Sequence, residues 1–401
     1  MQVMNARVSH NQRWLILTQY YIPEVGSPQV RLSHLARELS KHGISVSVLT
    51  ALPNYPTGRI FPGYRGRLWK HETVAKIPVT RTWLYASADH SAARRIATYL
   101  SFTTTSFLAA VTRRNIDVIF VEAQPLSLGL TAFLMKRLRG IPYIYHVPDL
   151  QVDVAEELGF LKGRRHLTTL RRCEEFFMRH AWKISTPTLG FIQHIHRRGI
   201  PPDSITFLPN GADPEQLRPQ PPALDLLDRW NLHRKKVFLY AGTQAFYHGL
   251  DVLIHAAHRI RHRSDIAFLI VGNGPEHRRL VNLADSLNAY NIIFDDAQKY
   301  SEMGRLHSIA YASLATLRKM EVAKAMRLHK IFPAMSCGVP VLHIGEGEGA
   351  DLVTSSGAGI AIDPEDADGV ATAVQALADD QQMHDRMALA GRRFIDVTPP
   401  A

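Results

Sequence analysis

The 401-residue sequence predicts an α/β protein built from two Rossmann-like, doubly wound domains. Three observations carry that expectation. The length exceeds what a single hydrophobic core usually holds. Short apolar runs alternate with segments of helical periodicity, the pattern of parallel sheets covered on both faces. The alternation then starts afresh after a turn at Asn210-Gly211 and the prolines Pro214, Pro219, Pro221 and Pro222. The division is therefore placed to give residues 1–215 and 216–401. Ligands of such folds bind beyond the carboxyl ends of the strands, so a cleft between two domains, holding two substrates, is expected.

Each element has its own signal. Trp14 to Thr18 is a short apolar run that ends in a Pro/Gly/Ser loop (Pro23, Gly26, Ser27, Pro28). An amphipathic stretch, Val30 to His42, and a second apolar run, Ile44 to Leu49, complete a strand, loop, helix, strand unit. Strands are expected at Val118 to Glu122, Tyr143 to Val147 and Lys183 to Thr186, with helices at Leu126 to Arg139 and Leu167 to Trp182 between them. In the second half, strands are expected at Val237 to Tyr240, Ile266 to Val271, Ile292 to Phe294, Ala312 to Thr316, Val339 to Ile344 and Gly359 to Ile362. Helices are expected at Leu250 to Arg261, Met326 to Ser336 and Val370 to Ala378.

Composition narrows the class. The only cysteines, Cys173 and Cys337, lie far apart and outside any Cys/His ligand spacing, so neither a disulfide framework nor a zinc site is implied. The opening Met-Gln-Val-Met-Asn-Ala-Arg lacks the apolar core of a signal peptide, and no apolar run reaches the roughly 18 residues that span a bilayer, so a cytoplasmic protein is expected. Charge is uneven. Lys and Arg number 27 against 12 Asp and Glu in residues 1–200, net +15, and 20 against 24 in the remainder, net −4. A basic half draws anionic lipid, an acidic or phosphorylated substrate, or nucleic acid, unless it is simply a solvated cationic surface. Nucleic acid is disfavoured, because no aromatic-basic interleaving or known module is present. Tyr99 to Val111, bracketed by Arg94-Arg95 and Arg113-Arg114, is too short to cross a membrane. It suits the headgroup boundary of an anionic membrane, or equally an ordinary domain-covering helix.

The densest chemistry lies between Arg318 and Gly359. A basic segment (Arg318, Lys319, Lys324, Arg327, Lys330) leads through a helix and an apolar strand into Gly-Glu-Gly-Glu-Gly, residues 345–349. Cations, free N–H groups and carboxylates at one strand end suit a nucleotide diphosphate carrying a sugar. Arg318 and Lys330 are candidates to neutralise a leaving diphosphate. Glu346 and Glu348 are candidates for sugar or ribose hydroxyls, with a cap on the following helix as the alternative. Gly272-Asn273-Gly274 after a strand is half of a dinucleotide fingerprint, or a plain tight turn. Gly242 and Thr243 follow the first strand of the second half. His146 and Asp149, ending a buried strand, are candidates to activate or orient an acceptor hydroxyl, although a structural histidine fits as well. Asp366-Ala367-Asp368 has a metal-binding spacing, but helix capping explains it, so no metal is expected.

Taken in order, the segments resemble a family. Leu-Thr-Gln-Tyr-Tyr-Ile-Pro-Glu-Val-Gly-Ser near the start, Leu-Pro-Asn-Gly-Ala-Asp at 208–213, Tyr240-Ala241-Gly242 with Gly249-Leu250-Asp251, Val-Gly-Asn-Gly-Pro-Glu, and Lys-Ile-Phe-Pro-Ala-Met-Ser-Cys-Gly-Val-Pro-Val-Leu resemble bacterial GT-B glycosyltransferases of family 4 that build O-antigen, colanic-acid-type or other exopolysaccharide repeats. The resemblance implies retaining transfer of a sugar from a UDP- or GDP-linked donor, held by the C-terminal domain, without cofactor or metal. The acceptor implied is an undecaprenyl-diphosphate-linked sugar or other glycan, held by the N-terminal domain at the inner face of the cytoplasmic membrane. It also implies that Gly26 faces the donor phosphates, that Lys330 contacts them, and that Glu348 touches the donor sugar. Two features depart from the family. Ala325 and Pro333 stand where many members carry glutamates, and Thr243 and His248 stand near the places of a familiar Arg and Lys. Those departures favour, as the alternative, a non-catalytic nucleotide-sugar or glycan-binding partner in a polysaccharide assembly complex.

Overall fold

The computed structural model describes residues 12–89, 91–159 and 163–397, so the N-terminal segment expected to lack a targeting signal lies outside them. The chain forms two compact units, Met1–Pro187 with Phe191–Leu208, and Thr188–Gly190 with Pro209–Ala401. The second unit starts at Pro209, ahead of the expected division at 215/216, because Ala212 and Leu217 are buried in its core beside Phe332 and Val353.

The first unit contains β1 (Arg13–Leu17), α1 (Ser27–Lys41), β2 (Ser45–Ala51), β3 (Trp69–Val74), β4 (Ile77–Thr82), α2 (Ala92–Val111), β5 (Val118–Glu122), α3 (Leu128–Arg139), β6 (Tyr143–His146), α4 (Gln151–Glu157), α5 (Arg164–His180), β7 (Lys183–Thr186), α6 (Leu189–Arg197) and β8 (Ile205–Phe207). Its sheet runs β3-β4-β2-β1-β5-β6-β7-β8, parallel except for the β3–β4 pair. Strand order reverses between β1 and β5. The chain winds outward from β1 to β2, then returns to lay β5 on the other side, leaving a crevice at the carboxyl ends of this pair. β5, Val-Ile-Phe-Val-Glu, is buried at every residue, as expected of a strand covered on both faces. The β3–β4 hairpin was not expected from sequence. Its turn uses Ala75 and Lys76 at positive φ instead of Asn-Gly or Asp-Gly, and β3 is an edge strand with little buried surface.

The second unit contains α7 (Leu224–Trp230), β9 (Lys236–Ala241), α8 (Asp251–Arg259), β10 (Ile266–Val271), α9 (His277–Ser286), β11 (Ile292–Asp295), α10 (Met303–Ser308), β12 (Ala312–Thr316), α11 (Ile331–Ser336), β13 (Val341–Ile344), α12 (Glu348–Ser355), β14 (Gly359–Ile362), α13 (Ala367–Asp379) and α14 (Gln381–Val397). Its all-parallel sheet has the order β11-β10-β9-β12-β13-β14, with the switch between β9 and β12. One expected element is shorter than the sequence predicts. The helix expected over Met326 to Ser336 begins only at Ile331, because Met326 is extended (ψ 140) and Pro333, lacking an N–H, is tolerated only in the first turn. Among the described residues no helix is long and apolar enough to cross a membrane.

Candidate functional site

In the second unit, the switch between β9 and β12 sets where chemistry can sit. Gly242 follows β9, Leu317 and Arg318 follow β12, and Gly345 follows β13, all at carboxyl ends. Lys330, immediately before α11, is the side chain placed there. Its Nζ lies 3.7 Å from the centre of the Tyr240 ring, is buried, and has no hydrogen-bond partner among the described residues. A β-carbon on Gly242 would lie 3.1 Å from the same Nζ, so Gly242 passes its backbone close to the cation. Burial drives the Lys330 ammonium well below its ordinary pKa, since nothing but a ring face replaces its lost water.

Two histidines surround this cation. His343, on β13, is fully buried with neither ring nitrogen partnered, and burial, helped by the charge of Lys330, holds its pKa down at about 4. His248, near the absent basic residue of the β9 loop, is buried too, with Nδ1 3.3 Å from the Thr316 carbonyl. Burial first, then Lys330, holds its pKa well below the ordinary value. Among the described residues the cluster thus holds a buried lysine amine and no carboxylate that pairs with it. An anionic oxygen entering here would supply the missing counter-charge.

The remaining second-unit candidates are engaged differently. Arg318 donates through Nη2 to both Asp251 oxygens at 3.0 and 2.9 Å, donates through Nε to the Phe246 carbonyl, and lies 4.4 Å over the Phe246 ring. It braces the β9 loop against α8, and its fork is filled. Glu348 accepts from the N–H groups of Leu189 and Gly190, which belong to the second unit although they open α6, at 2.9 and 2.7 Å and pairs with Arg327 at 2.7 Å, while Glu346 lies 3.8 Å from Lys324. Gly272 and Gly274 serve packing between loops, because β-carbons there would meet the Gly242 carbonyl at 1.9 Å and the Gln244 carbonyl at 2.4 Å. Thr243 offers its carbonyl to the Tyr240 hydroxyl at 2.7 Å. Asp366 caps α13 by accepting from the Gly369 N–H, and Asp368 pairs with Arg259, the capping role expected from sequence.

In the first unit, register collects polar groups at the crevice between β1 and β5. Glu122 pairs with His146 across β5–β6, and His146 with Ser185 across β6–β7. His146 is fully buried, stacked on Phe120 and hydrogen-bonded through Nδ1 to Ser185 at 2.9 Å, with Nε2 unpartnered. Burial, then the charge of Arg31, pushes its pKa well down, so it is a neutral interior ring and not a surface base. Asp149 is exposed and accepts from Gln124 Nε2 at 3.1 Å. Gly26 precedes α1 with an extended backbone and accepts from the Val30 N–H.

Sequence reasoning missed Tyr240, His343, and the buried Arg31–Glu122 pair at 2.6 Å. Two of these carried a signal, since His343 and Glu122 are polar residues within otherwise apolar strands. Arg31 did not, because a basic residue in an amphipathic helix reads as surface.

The two doubly wound units and the cationic, glycine-lined switch point define the class: proteins with the GT-B fold. Among solved structures, sucrose-phosphate synthase from Thermosynechococcus elongatus matches with TM-score 0.75 at 17% identity over 96% of this chain and 94% of that one. The Anabaena HepE structure in complex with UDP-glucose matches with TM-score 0.72 at 15% identity over the same shares. The family models for a glycosyl transferase 4-like domain and for glycosyl transferases group 1 match residues 26–211 and 228–394. A chain of Escherichia coli K12 assigned to colanic acid biosynthesis, the glycosyl transferase WcaI, is 26% identical over 88% of this chain and 89% of its own length. The chain belongs to the bacterial GT-B glycosyltransferases of family 4.

Proposed function

We propose that the protein is a retaining, metal- and cofactor-independent hexosyltransferase that moves a sugar from a UDP- or GDP-linked donor to a lipid-linked or glycan acceptor during cell-surface polysaccharide synthesis. The observation that carries this reading is Lys330, whose buried Nζ has no hydrogen-bond or ion-pair partner among the described residues and lies at the switch point of the second unit, where a bound anion would hold it as an ammonium. A donor diphosphate gains negative charge as its bond to the sugar breaks. A fixed, desolvated cation stabilises that state more than the ground state, which is what speeds the step. The neutral His343 and His248 add no competing charge beside Lys330. The assignment of WcaI to colanic acid synthesis supports the polysaccharide context.

Lodging on the inner face of the cytoplasmic membrane is part of the same proposal. Ile96, Leu100 and Leu108, four and eight residues apart on α2, stay more than half exposed, and the first half of the chain carries the positive charge. A second reading, donor binding without turnover, is favoured by Ala325 and Pro333 at the glutamate positions.

The test is incubation of purified protein with UDP-, GDP- and dTDP-sugars and an undecaprenyl-diphosphate-linked acceptor, with and without EDTA, and NMR of the anomeric centre formed. Transfer with retention that survives EDTA supports the proposal. Nucleotide binding without transfer or hydrolysis selects the second reading.

A further inference from the structure

An open surface cavity of about 730 Å3 lies wholly within the first unit, between the loop that follows β2 and the loop that follows β4. None of its lining belongs to the polar groups at the β1/β5 crevice. Arg59, Arg65 and Arg94 line it, together with Trp83 and Tyr85, and a lobe of about 480 Å3 continues past Arg59, Arg65 and Phe61. Asp89 is the acidic residue of the lining and holds Arg94 at 3.0 Å. The Arg65 Nε donates to the Ile60 carbonyl, while the Arg59 guanidinium has no partner among the described residues. The lining is therefore cationic by two charges.

The walls are fixed. Gly58, at φ +65, would place a β-carbon 2.0 Å from the Ser87 carbonyl, so the two loops touch backbone to backbone. Thr105 donates to the Trp83 carbonyl at 2.6 Å and Tyr85 N–H donates to the Ser101 hydroxyl at 2.8 Å, pinning the second loop to α2. The rim is apolar and wet. Leu68 and Trp69 are each about two-thirds exposed, the Trp83 N–H donates to the Leu68 carbonyl, and Ile96 and Leu100 follow Arg94 on α2. The guanidinium groups of Arg59 and Arg65 in an open groove, next to exposed hydrocarbon, match an anionic head with an apolar tail.

We propose that this cavity holds the diphosphate of a polyprenyl-diphosphate-linked acceptor, with Arg59 and Arg65 on the phosphates and the prenyl chain along Leu68, Trp69 and Ile96. The proposal rests on the lipid-linked acceptor in the functional reading above and assigns that acceptor its site.

The test titrates the full chain with farnesyl diphosphate at saturating UDP, followed by tryptophan fluorescence and calorimetry. Binding is expected to persist under UDP, to exceed that of inorganic pyrophosphate, and to weaken about tenfold or more in the Arg59→Ala/Arg65→Ala double variant. The exposed Arg114→Ala control should leave it unchanged. Affinity for UDP should be the same in all three proteins, which also verifies folding. Displacement of farnesyl diphosphate by UDP, equal affinity for pyrophosphate, or unchanged binding in the double variant would each overturn the assignment. So would a double variant that loses only binding to phosphatidylglycerol vesicles, since the cavity would then serve a membrane surface. Failure of the functional reading looks different: the cavity binds its probe while no nucleotide sugar is turned over.

Discussion

Arg31 and Lys330 are both buried cations at the switch point of a parallel sheet, one in each unit, and they differ in what faces them. Arg31 has the Glu122 carboxylate at 2.6 Å, and that carboxylate is itself fully buried. Lys330 has a tyrosine ring. A buried cation with its carboxylate is neutralised and belongs to the fold, even though Arg31 Nε and Glu122 Oε2 make no hydrogen bond among the described residues. A buried cation without one is held at a cost by the surrounding packing, and it is relieved by an anion that binds.

The sharpest way to break this contrast is to remove each charge while keeping its volume. Arg31→Met strands Glu122 in the interior and is expected to lower unfolding stability by about 3–5 kcal/mol in urea titrations. Arg31→Met/Glu122→Leu should recover most of that loss. Lys330→Met should do the opposite. It is expected to cost about 10²–10³ in turnover, the size of one lost anion-stabilising group, while leaving the melting temperature equal or higher. A Lys330→Met protein as unstable as Arg31→Met would make Lys330 structural and end the contrast.

Acidity sharpens it further. The folded pKa of His343, about 4, lies below the unfolded value near 6.5, so between the two the unfolded chain binds the extra proton. Stability is therefore full above about pH 6.5 and falls as pH drops through about 4, by on the order of 3 kcal/mol, a component that His343→Leu should erase. Lys330 gives the matching ligand effect. Its pKa is low when the site holds no anion and rises beside one, so UDP binding should take up a proton and weaken as pH climbs, measurable by calorimetry in buffers of different ionisation enthalpy.

The smallest effect concerns backbone. Gly347, at φ +76, would place a β-carbon 2.1 Å from the Lys324 carbonyl, so Gly347→Ala should cost about 1–3 kcal/mol and loosen the 345–349 loop. Gly63→Ala, at φ +83 with open space around it, should cost less. Equal losses would mean that φ alone, and not the carbonyl contact, makes Gly347 necessary.

Much of the fold was legible because strands buried on both faces are spelled as continuous apolar runs. β5, β7, β10, β12 and β14 fall where their hydrophobicity predicts, and helices α1 and α3 follow periodicity to within two or three residues. The β3–β4 hairpin escaped because an edge strand needs little buried surface, and α11 was drawn too long because Pro333 reads the same in a helix's first turn as elsewhere. In the site, Lys330 was legible as a cation beside a glycine loop. Arg318 was equally legible, but its guanidinium is filled by Asp251.

By itself, then, the order of residues determined the two sets of alternating strands and helices and the glycine loops at the strand ends, since hydrophobic period and turn chemistry are local properties. Which charges are free was decided only in three dimensions. Arg318 meets Asp251 across 67 positions and Arg31 meets Glu122 across 91, while Lys330 meets no carboxylate among the described residues. A side chain's counter-ion is set by packing between distant segments, and nothing in its own neighbourhood along the chain records whether one will arrive.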